Sequence, residues 1–347
     1  MKTLEFGLDT FGDVTRDSAG RLLSQAQVIR DVVEEAVCAD SAGVDYFGVG
    51  EHHRADFAIS APETVLAAIA GRTKNIRLGT AATILSTDDP VRVFQRFSTL
   101  NAISNGRAEI TVGRGWYTES FPLFGYEPSD YNALFEEKLN LLSALIRKDV
   151  ITWRGTQRPA LANQKVFPPA EQKRLKLWVA VGSTPESALR AARYDLPMVV
   201  ATIGGDPQRF KSFFDIYHSA FEKLGRQPRE TGVHATGYIA DTDEKAREEF
   251  WPEYKKLRDK IGAERGWAPF TEANFVAEVS QGSLFVGSPE TVARKIATTM
   301  KGLNVSRFEM KYSVGELAHE KLLKSIELFG RKVMPMAREM IEAKTAA

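Results

Sequence analysis

The feature that most constrains the fold is a repeated pairing of a short, β-rich apolar run with a following helical pattern. Strands separated by helices of ten or more residues pair in parallel, because the helix returns the chain to the starting edge of the sheet. Eight such units in 347 residues predict an α/β fold, a (β/α)8 TIM barrel. The predicted strands are residues 4–8, 46–49, 76–80, 108–112, 177–181, 198–201, 231–240 and 307–311.

An open, doubly wound sheet is the structural alternative to the barrel. Such a sheet normally carries a glycine-rich G-x-G-x-x-G turn after its first strand, whereas Leu8 is followed by Asp9-Thr10-Phe11. The missing fingerprint favours the barrel. Helix starts are marked by a capping residue and a proline, as in Asp89-Pro90 and Ser288-Pro289, and a long helix is predicted from about Glu316.

Two stretches interrupt the repeated units, after the fourth and seventh strands. Residues 115–169 contain one helical pattern, over 131–146, and a hairpin pattern around 150–153. Residues 262–288 show little regular pattern. Long connections are often lids or mobile loops, but tolerated insertion explains the first stretch equally well. Because no Pro/Gly/Ser-rich linker or charge run separates the units, residues 1–347 are predicted to form a single domain.

Charge and composition exclude several classes of protein. The 46 Lys and Arg residues balance 45 Asp and Glu, which argues against nucleic acid as a partner. No run approaches the roughly 20 apolar residues that cross a bilayer, and the first residues do not resemble a signal peptide. Cys38 is the only cysteine, so no intrachain disulfide or thiolate metal cluster can form. We therefore expect a cytoplasmic protein without membrane contact.

Chemistry in a TIM barrel is expected just past the C-terminal ends of the strands. Glu51-His52-His53 follows the second strand and suits acid–base work near neutral pH, although an ordinary pair of loop histidines fits equally well. A metal site would need further ligands, and the remaining histidines lack ligand-like spacing, so no metal is predicted. Small residues including Ala81-Ala82 follow the third strand, where they permit close approach of a ligand or simply close packing.

Two further strand ends carry groups that suit an anionic ligand. Gly113-Arg114-Gly115-Trp116-Tyr117 follows the fourth strand, and it offers a guanidinium for phosphate or carboxylate beside rings that can line a flat cavity. After the fifth strand, Gly182, Ser183, Thr184 and Ser187 lie at a predicted helix start with free backbone N–H groups. Thr184 could also be no more than a helix cap. Walker A and G-x-S-x-G motifs are absent, so the residues indicate a planar phosphate-bearing ligand without saying which.

In this order along the chain, the motifs resemble the bacterial luciferase-like, flavin-dependent monooxygenase family. Each block is weak alone, and together they extend over nearly the whole sequence. The blocks are residues 39–45, 51–53, 76–82, 89–92, 104–107, 113–117, 196–198, 286–290 and 328–335.

The resemblance implies a TIM barrel that binds FMN without a covalent bond, often as a homodimer. It also implies that a separate NAD(P)H-dependent flavin reductase supplies the reduced flavin. Molecular oxygen would then add at the flavin C4a carbon to give a peroxyflavin that oxidises a small organic substrate. The cofactor would perform the difficult step, and the protein would supply placement and a dry cavity.

Site roles follow from the same resemblance, position by position. His52 matches the residue that assists the flavin–oxygen chemistry, and Glu51 lies beside the isoalloxazine. Ala81-Ala82 matches a pair joined by a non-proline cis bond beneath the ring. Arg114 matches the phosphate-binding arginine. The remaining phosphate contacts would come from Gly182, Ser183, Thr184 and Ser187.

The sequence also departs from luciferase at two of these places. A reactive cysteine of luciferase is replaced by Gly113, which weakens any expectation of light emission, and a glutamate of the phosphate loop is replaced by Ser183. Residues 262–288 match the mobile loop of the family and are expected to close over the flavin. The substrate cavity is expected to be lined by Phe11, Phe57, Trp116, Tyr117 and Phe285.

Two other functions remain open at this point. The first is hydride transfer with the deazaflavin F420 and without oxygen. The second is flavin binding without catalysis, against which the combined presence of Glu51, His52, Arg114 and Thr184 argues.

Overall fold

The computed structural model describes residues 3–171, 175–182 and 184–343. Its main sheet contains the eight strands expected from the sequence, each within two residues of its expected start. The eight strands that build the barrel wall are β1 (Glu5–Thr10), β2 (Tyr46–Val49), β3 (Arg77–Thr80), β5 (Glu109–Gly113), β8 (Lys176–Val181), β9 (Met198–Ala201), β10 (Thr231–Ile239) and β12 (Arg307–Lys311).

The strands follow one another around the wall in parallel, in the order β3-β2-β1-β12-β10-β9-β8-β5. A two-residue strand, β4 (Thr83–Ile84), continues beyond β3 and pairs with β5. The seam between β3 and β5 is joined by a bridge from Leu78 to Ala108 and by the Leu78 amide, which donates to the Arg107 carbonyl at 3.0 Å. The sheet is therefore a nearly closed barrel, and the predicted TIM-barrel fold is confirmed.

Helices cover the outside of the barrel and return the chain between strands. Their starts agree with the capping signals: the Asp89 carboxylate accepts from the amides of Val91 and Arg92, and the Ser288 hydroxyl accepts from Thr291. The helices are α1 (Gln25–Ser41), α2 (Pro62–Ala70), α3 (Pro90–Ile103), α4 (Ser120–Leu123), α5 (Tyr131–Arg147), α6 (Pro185–Arg193), α7 (Lys211–Lys223), α8 (Asp243–Arg265), α9 (Glu272–Ser280), α10 (Pro289–Leu303), α11 (His319–Leu328) and α12 (Met334–Glu342).

The connection after β5 contains the helix and the hairpin that were expected from the sequence. It contains α4, a short 3-10 turn, α5 and an antiparallel hairpin of β6 (Ile151–Trp153) and β7 (Leu161–Gln164). Helix α5 takes the place of a barrel helix, packing against α3. The hairpin is the true insertion.

The expectation of little regular structure over residues 262–288 is wrong. The segment holds the end of α8, then α9, and then strand β11 (Leu284–Gly287), which pairs with β10 in parallel. Thr271 and Asn274 form a reciprocal capping box that starts α9. Helix α8 is mostly polar, with few buried residues, so apolar periodicity could not reveal it.

The predicted long C-terminal helix is also interrupted. Residues 329–333 form a π-helical turn between α11 and α12, and Gly330 lies within it against Ala42, where a Cβ would approach to 2.6 Å. Among the described residues, no helix is long and apolar enough to cross a bilayer.

Candidate active site

A cavity of about 460 Å³ opens at the C-terminal ends of the barrel strands. Residues after β2, β3, β5, β8 and β9 line it, together with inward-facing residues of β10 and β12 and one face of α8. The cavity thus collects, from distant parts of the chain, most of the residues singled out from the sequence. Those that line it are Phe11, Glu51, His52, Phe57, Ala81, Ala82, Arg114, Trp116, Tyr117 and Gly182.

Glu51 is held in place by two hydrogen bonds. One carboxylate oxygen lies 3.0 Å from His53 Nε2, and the other accepts from the amide of Ile84 at 2.8 Å. Because Ile84 belongs to β4, the Glu51 carboxylate ties the loop after β2 to the chain beyond β3. The peptide bond between Ala81 and Ala82, just before β4, is cis, as the resemblance implied.

His52 lies on the same loop as Glu51, and aromatic rings from three parts of the chain surround it. Its ring centroid is 4.4 Å from that of Phe11, 4.5 Å from Phe57 and 5.4 Å from Tyr117. Its Nδ1 atom is buried and has no hydrogen-bond partner among the described residues. Burial, with further repulsion from nearby cations, lowers the pKa of His52 to about 3, so the imidazole is neutral at physiological pH.

Arg114 lies at another side of the cavity and contacts neutral groups. Its guanidinium donates to Asn132 Oδ1 at 2.9 Å and to Thr184 Oγ1 at 3.2 Å, and it lies 4.9 Å from the Tyr131 ring centre. No carboxylate of the described residues pairs with it. A guanidinium with neutral partners retains its capacity for an anion.

The start of α6 supplies the groups beside Arg114. The Thr184 side chain does not cap α6; besides accepting from Arg114, its hydroxyl lies 3.1 Å from that of Ser187. Ser187 is buried behind Thr184 and does not itself line the cavity. Ser183 lies outside the described residues.

The aromatic wall is largely as expected, with one correction. Phe11, Phe57 and Tyr117 pack on His52, and Trp116 lines the rim with 48% of its surface exposed. Phe285, in contrast, does not line the cavity. It is fully buried on β11, with its ring centre 4.8 Å from that of Phe308, because the segment that carries it is a strand beside β10 and not a loop over the mouth.

Charged groups that the sequence analysis did not select form the floor of the cavity. His234 on β10 and Glu309 and Lys311 on β12 all line it. His234 Nε2 lies 3.0 Å from Asp9 of β1, and Lys311 Nζ lies 2.8 Å from Asp13. Alternation along β12 places Glu309 and Lys311 on one face, a signal that could have identified this pair. Nothing in the sequence pattern indicates that Asp9 meets His234.

Helix α8 covers the mouth, and its last residues, 262–265, belong to the segment that was expected to close over the cavity. Four of its residues line the cavity: Tyr254, Leu257, Arg258 and Ile261.

Ion pairs hold the end of α8 to the loops opposite. The Arg54 guanidinium lies 2.5 Å from both Glu119 and Glu264, and it also stacks on Tyr117 at 4.5 Å. Arg265 stacks on the Trp116 ring at 4.0 Å. The C-terminal end of α8 is thus joined to the loop after β5 by charged and cation–π contacts.

These residues fit a flat group that carries a phosphate. The phosphate end would lie at Arg114 and Thr184, and a Cβ built at Gly182 would meet nothing within 4 Å, which leaves open space there. Ala81 and Ala82 also line the cavity, and their side chains are single methyl groups. Among the described residues, no group of three or more His, Cys, Asp or Glu side chains is arranged to hold a metal ion.

A site of this composition at the strand ends of a parallel barrel defines a TIM-barrel protein with a cofactor-sized cavity. The chain belongs to the luciferase-like monooxygenase family, whose family model matches residues 10–307. The resemblance drawn from the sequence is therefore confirmed.

Individual relatives are distant in sequence. The chain is 26% identical over 330 residues to 4-hydroxyprotoasukamycin monooxygenase of Streptomyces nodosus subsp. asukaensis, covering 91% of this chain and 88% of that protein. It is 27% identical over 223 residues to the alkanal monooxygenase alpha chain of the Kryptophanaron alfredi symbiont, covering 64% of this chain and 61% of that one.

Solved structures share the fold over nearly the whole length. Monooxygenase RslO1 from Streptomyces bottropensis superposes with a TM-score of 0.84 at 22% identity, over 96% of this chain and 99% of that one. The oxygenating constituent of 3,6-diketocamphane monooxygenase from Pseudomonas putida, in complex with FMN, gives 0.76 at 22% over the same shares. An F420-dependent secondary alcohol dehydrogenase gives 0.74 at 17%, over 97% and 99%.

Proposed function

We propose that this chain is an FMN-dependent monooxygenase that uses reduced flavin and O2 to oxidise a small organic substrate. The observation that carries the proposal is the Arg114 guanidinium, which faces the cavity with only neutral partners and with the Thr184 hydroxyl beside it. An FMN-bound oxygenase of the same fold supports FMN as the occupant. A separate NAD(P)H-dependent flavin reductase is proposed as the source of reduced flavin, as the resemblance implied.

When bound, reduced FMN supplies the electrons that activate O2. The residues of the chain place the cofactor and control its surroundings. Arg114, with Thr184, would hold the phosphate, and the Ala81 and Ala82 methyl groups would support the ring. The Glu51 carboxylate fixes the positions of His53 and β4. The rings around His52 would exclude water from the part of the cavity where the substrate reacts.

The remaining cavity would receive the substrate. It is bounded by α8, through Tyr254, Leu257 and Ile261, and by the aromatic wall of Phe57 and Tyr117. These apolar surfaces suit a substrate with a hydrocarbon portion. We propose further that the working unit is a homodimer, as the resemblance implied, and that it lies in the cytoplasm, as expected from the composition.

Anaerobic titration with reduced FMN tests the proposal. We expect saturable binding, followed on admission of ¹⁸O2 by transfer of one labelled oxygen atom to a member of a panel of aldehydes, alkanesulfonates and long-chain alkanes. A parallel titration with reduced F420 separates the alternative. Binding of F420 without binding of FMN, or turnover indifferent to oxygen, would overturn the proposal.

A further inference from the structure

Two histidines reach the cavity, and their surroundings differ. His52 is enclosed by three aromatic rings, and its neighbours Lys311, His53 and Arg54 further disfavour its protonated form. Within the part of the chain that the structure describes, no carboxylate forms an ion pair with this ring or raises its pKa. The imidazole of His52 is therefore neutral near pH 7.

His234 has a carboxylate in direct contact. Its Nε2 lies 3.0 and 3.1 Å from the two oxygens of Asp9, which is fully buried on β1. The neighbouring strands place Ala201 of β9 on one side of it and Glu309 of β12 on the other. Since Nε2 is directed at Asp9, Nδ1 is the ring nitrogen left for a ligand in the cavity.

The charges around His234 favour its protonated form. Burial disfavours the cation, but the Asp9 carboxylate outweighs burial through its charge and hydrogen bond and raises the pKa of His234, with further help from Glu309 and opposition from Lys311. Burial also raises the pKa of Glu309, to about 7, against the pull of Arg307. His234 is thus the cavity histidine that can carry a proton near neutral pH.

We propose that His234, positioned by Asp9, is the proton donor of this cavity, and that His52 acts there only as a neutral hydrogen-bonding group. The Nδ1–H bond of the imidazolium breaks, and a new O–H bond forms on an oxygen atom of substrate or co-substrate that gains negative charge. The imidazole left behind is neutral, keeps its Nε2–H on Asp9, and regains a proton from solvent. Asp9 is a positioning residue. The kinetic part of this inference rests on the proposed monooxygenase function.

Histidine NMR on the ligand-free protein tests the charge states directly. With ¹³C-labelled histidine and assignment by single His→Gln variants of the five histidines, we expect His234 to titrate above pH 6.5 and His52 to stay neutral down to pH 5. Asp9→Asn should lower the titration of His234 and leave that of His52 unmoved. Titration of His234 at or below 6.5 in the wild type, or no change in Asp9→Asn, would overturn the proposal.

The pH profile of turnover, measured with reduced FMN and the best substrate of the panel, tests the role. Since the donor is active only when protonated, we expect the wild-type rate to fall as pH rises through the pKa of His234, and Asp9→Asn to move this fall to lower pH. His234→Gln should lower the rate at least about 100-fold and abolish that alkaline limb. An unchanged limb in His234→Gln, or a limb abolished instead by His52→Gln, would overturn the assignment.

His319→Gln is the matched control. His319 is also paired with a carboxylate, Glu35 at 2.9 Å, but it lies outside the cavity. Its replacement should leave the turnover profile unchanged, and loss of the limb there would overturn the assignment to His234. Failure of FMN to bind would refute the proposed function but leave the NMR result standing, so the two failures are distinguishable.

Discussion

Arg114 differs from Arg54, Arg190 and Arg307 in what its guanidinium touches. Arg54, Arg190 and Arg307 all lie within 2.6 Å of a carboxylate oxygen. Arg114 instead donates to an amide and a hydroxyl oxygen, both of which are weaker partners than an anion. The residue is therefore built to accept a ligand's charge.

Replacing this guanidinium should weaken cofactor binding without unfolding the barrel. We expect Arg114→Met to raise the Kd of FMN about 10- to 100-fold, because a hydrogen-bonded charge pair contributes about 1.5–3 kcal/mol. Riboflavin, which lacks the phosphate, should bind both forms equally. Arg30→Met, at an exposed arginine whose guanidinium donates to Gln27, is the control. Equal FMN affinity in wild type and Arg114→Met would contradict the assignment.

His52 should also leave a signature in acid stability. Its folded pKa of about 3 lies below the ordinary value of 6.5, so between these values the unfolded chain binds a proton that the folded protein does not. The stability from neutral His52 is complete above pH 6.5 and is lost as pH falls towards 3. On going from pH 7 to pH 5, we expect the free energy of unfolding of His52→Phe to rise by about 1 kcal/mol or more relative to that of wild type. Urea denaturation at the two pH values measures this difference.

The opposite sign is expected at His319, where Glu35 raises the pKa of the imidazole. That pair stabilises the fold below pH 6.5 and its contribution is lost as pH rises through the folded pKa. His319→Gln should therefore lose stability relative to wild type on acidification. Parallel pH trends in the two variants would contradict the difference in environment.

Site residues could be predicted from sequence where the strand end alone determined their position. Glu51, His52 and Arg114 each lie within three residues of a strand end, which is where the active site of a TIM barrel is built. Asp9 and His234 could not be paired in this way, because their contact depends on how β1 and β10 flank β12 around a closed wall. Phe285 was misplaced because its own strand was not recognised.

At the scale of elements, α8 determines how the cavity is closed. The helix runs for 23 residues, and its C-terminal part carries Glu264 and Arg265 to the loop after β5. Arg54 joins the two through Glu119 and Glu264 while resting on Tyr117. One side chain thus links the loop after β2, the loop after β5 and the cover.

Removing Arg54 should loosen this closure. We expect Arg54→Met to speed chymotrypsin cleavage after Trp116 and Tyr117 and to raise the FMN dissociation rate about fivefold, which corresponds to about 1 kcal/mol for a half-exposed network. Added salt should also speed cleavage and FMN dissociation in wild type, and it should have little effect on either rate in the variant. Lys211→Met, which removes an exposed pair with Asp215 on α7, is the control. Unchanged cleavage and release would show that α8 closes the cavity without this pair.

Elements with strong apolar signals were predictable, and those held by contacts with other parts of the chain were not. Strands β2 and β5 are buried on both faces and appear as largely apolar runs, as expected for parallel sheets. Strand β11 has the same kind of run, but only its pairing with β10 distinguishes it from a loop. Helix α8 is long and polar. Its position over the cavity depends on ion pairs, which the pattern of apolar residues along the sequence cannot predict.

For the molecule as a whole, the barrel interior contains a charged layer beneath the cavity. Arg307 is fully buried on β12, between the rings of Tyr46 at 3.8 Å and Trp178 at 4.6 Å. Its guanidinium lies 2.5 Å from Glu109 of β5 and 2.6 Å from Glu309. Because β5 and β12 lie on opposite sides of the wall, this cation connects the two halves of the barrel.

Removal of Arg307 should therefore destabilise the entire fold. We expect Arg307→Met to lower the free energy of unfolding by about 3–5 kcal/mol, since Glu109 and Glu309 would remain buried without their cation. Adding Glu109→Gln and Glu309→Gln should restore part of this loss, because neutral amides cost less to bury than unpaired carboxylates. Urea denaturation provides the measurement, with Arg294→Met, at an exposed pair on α10, as control. An Arg307→Met variant as stable as wild type would contradict the role of Arg307 in compensating the buried carboxylates.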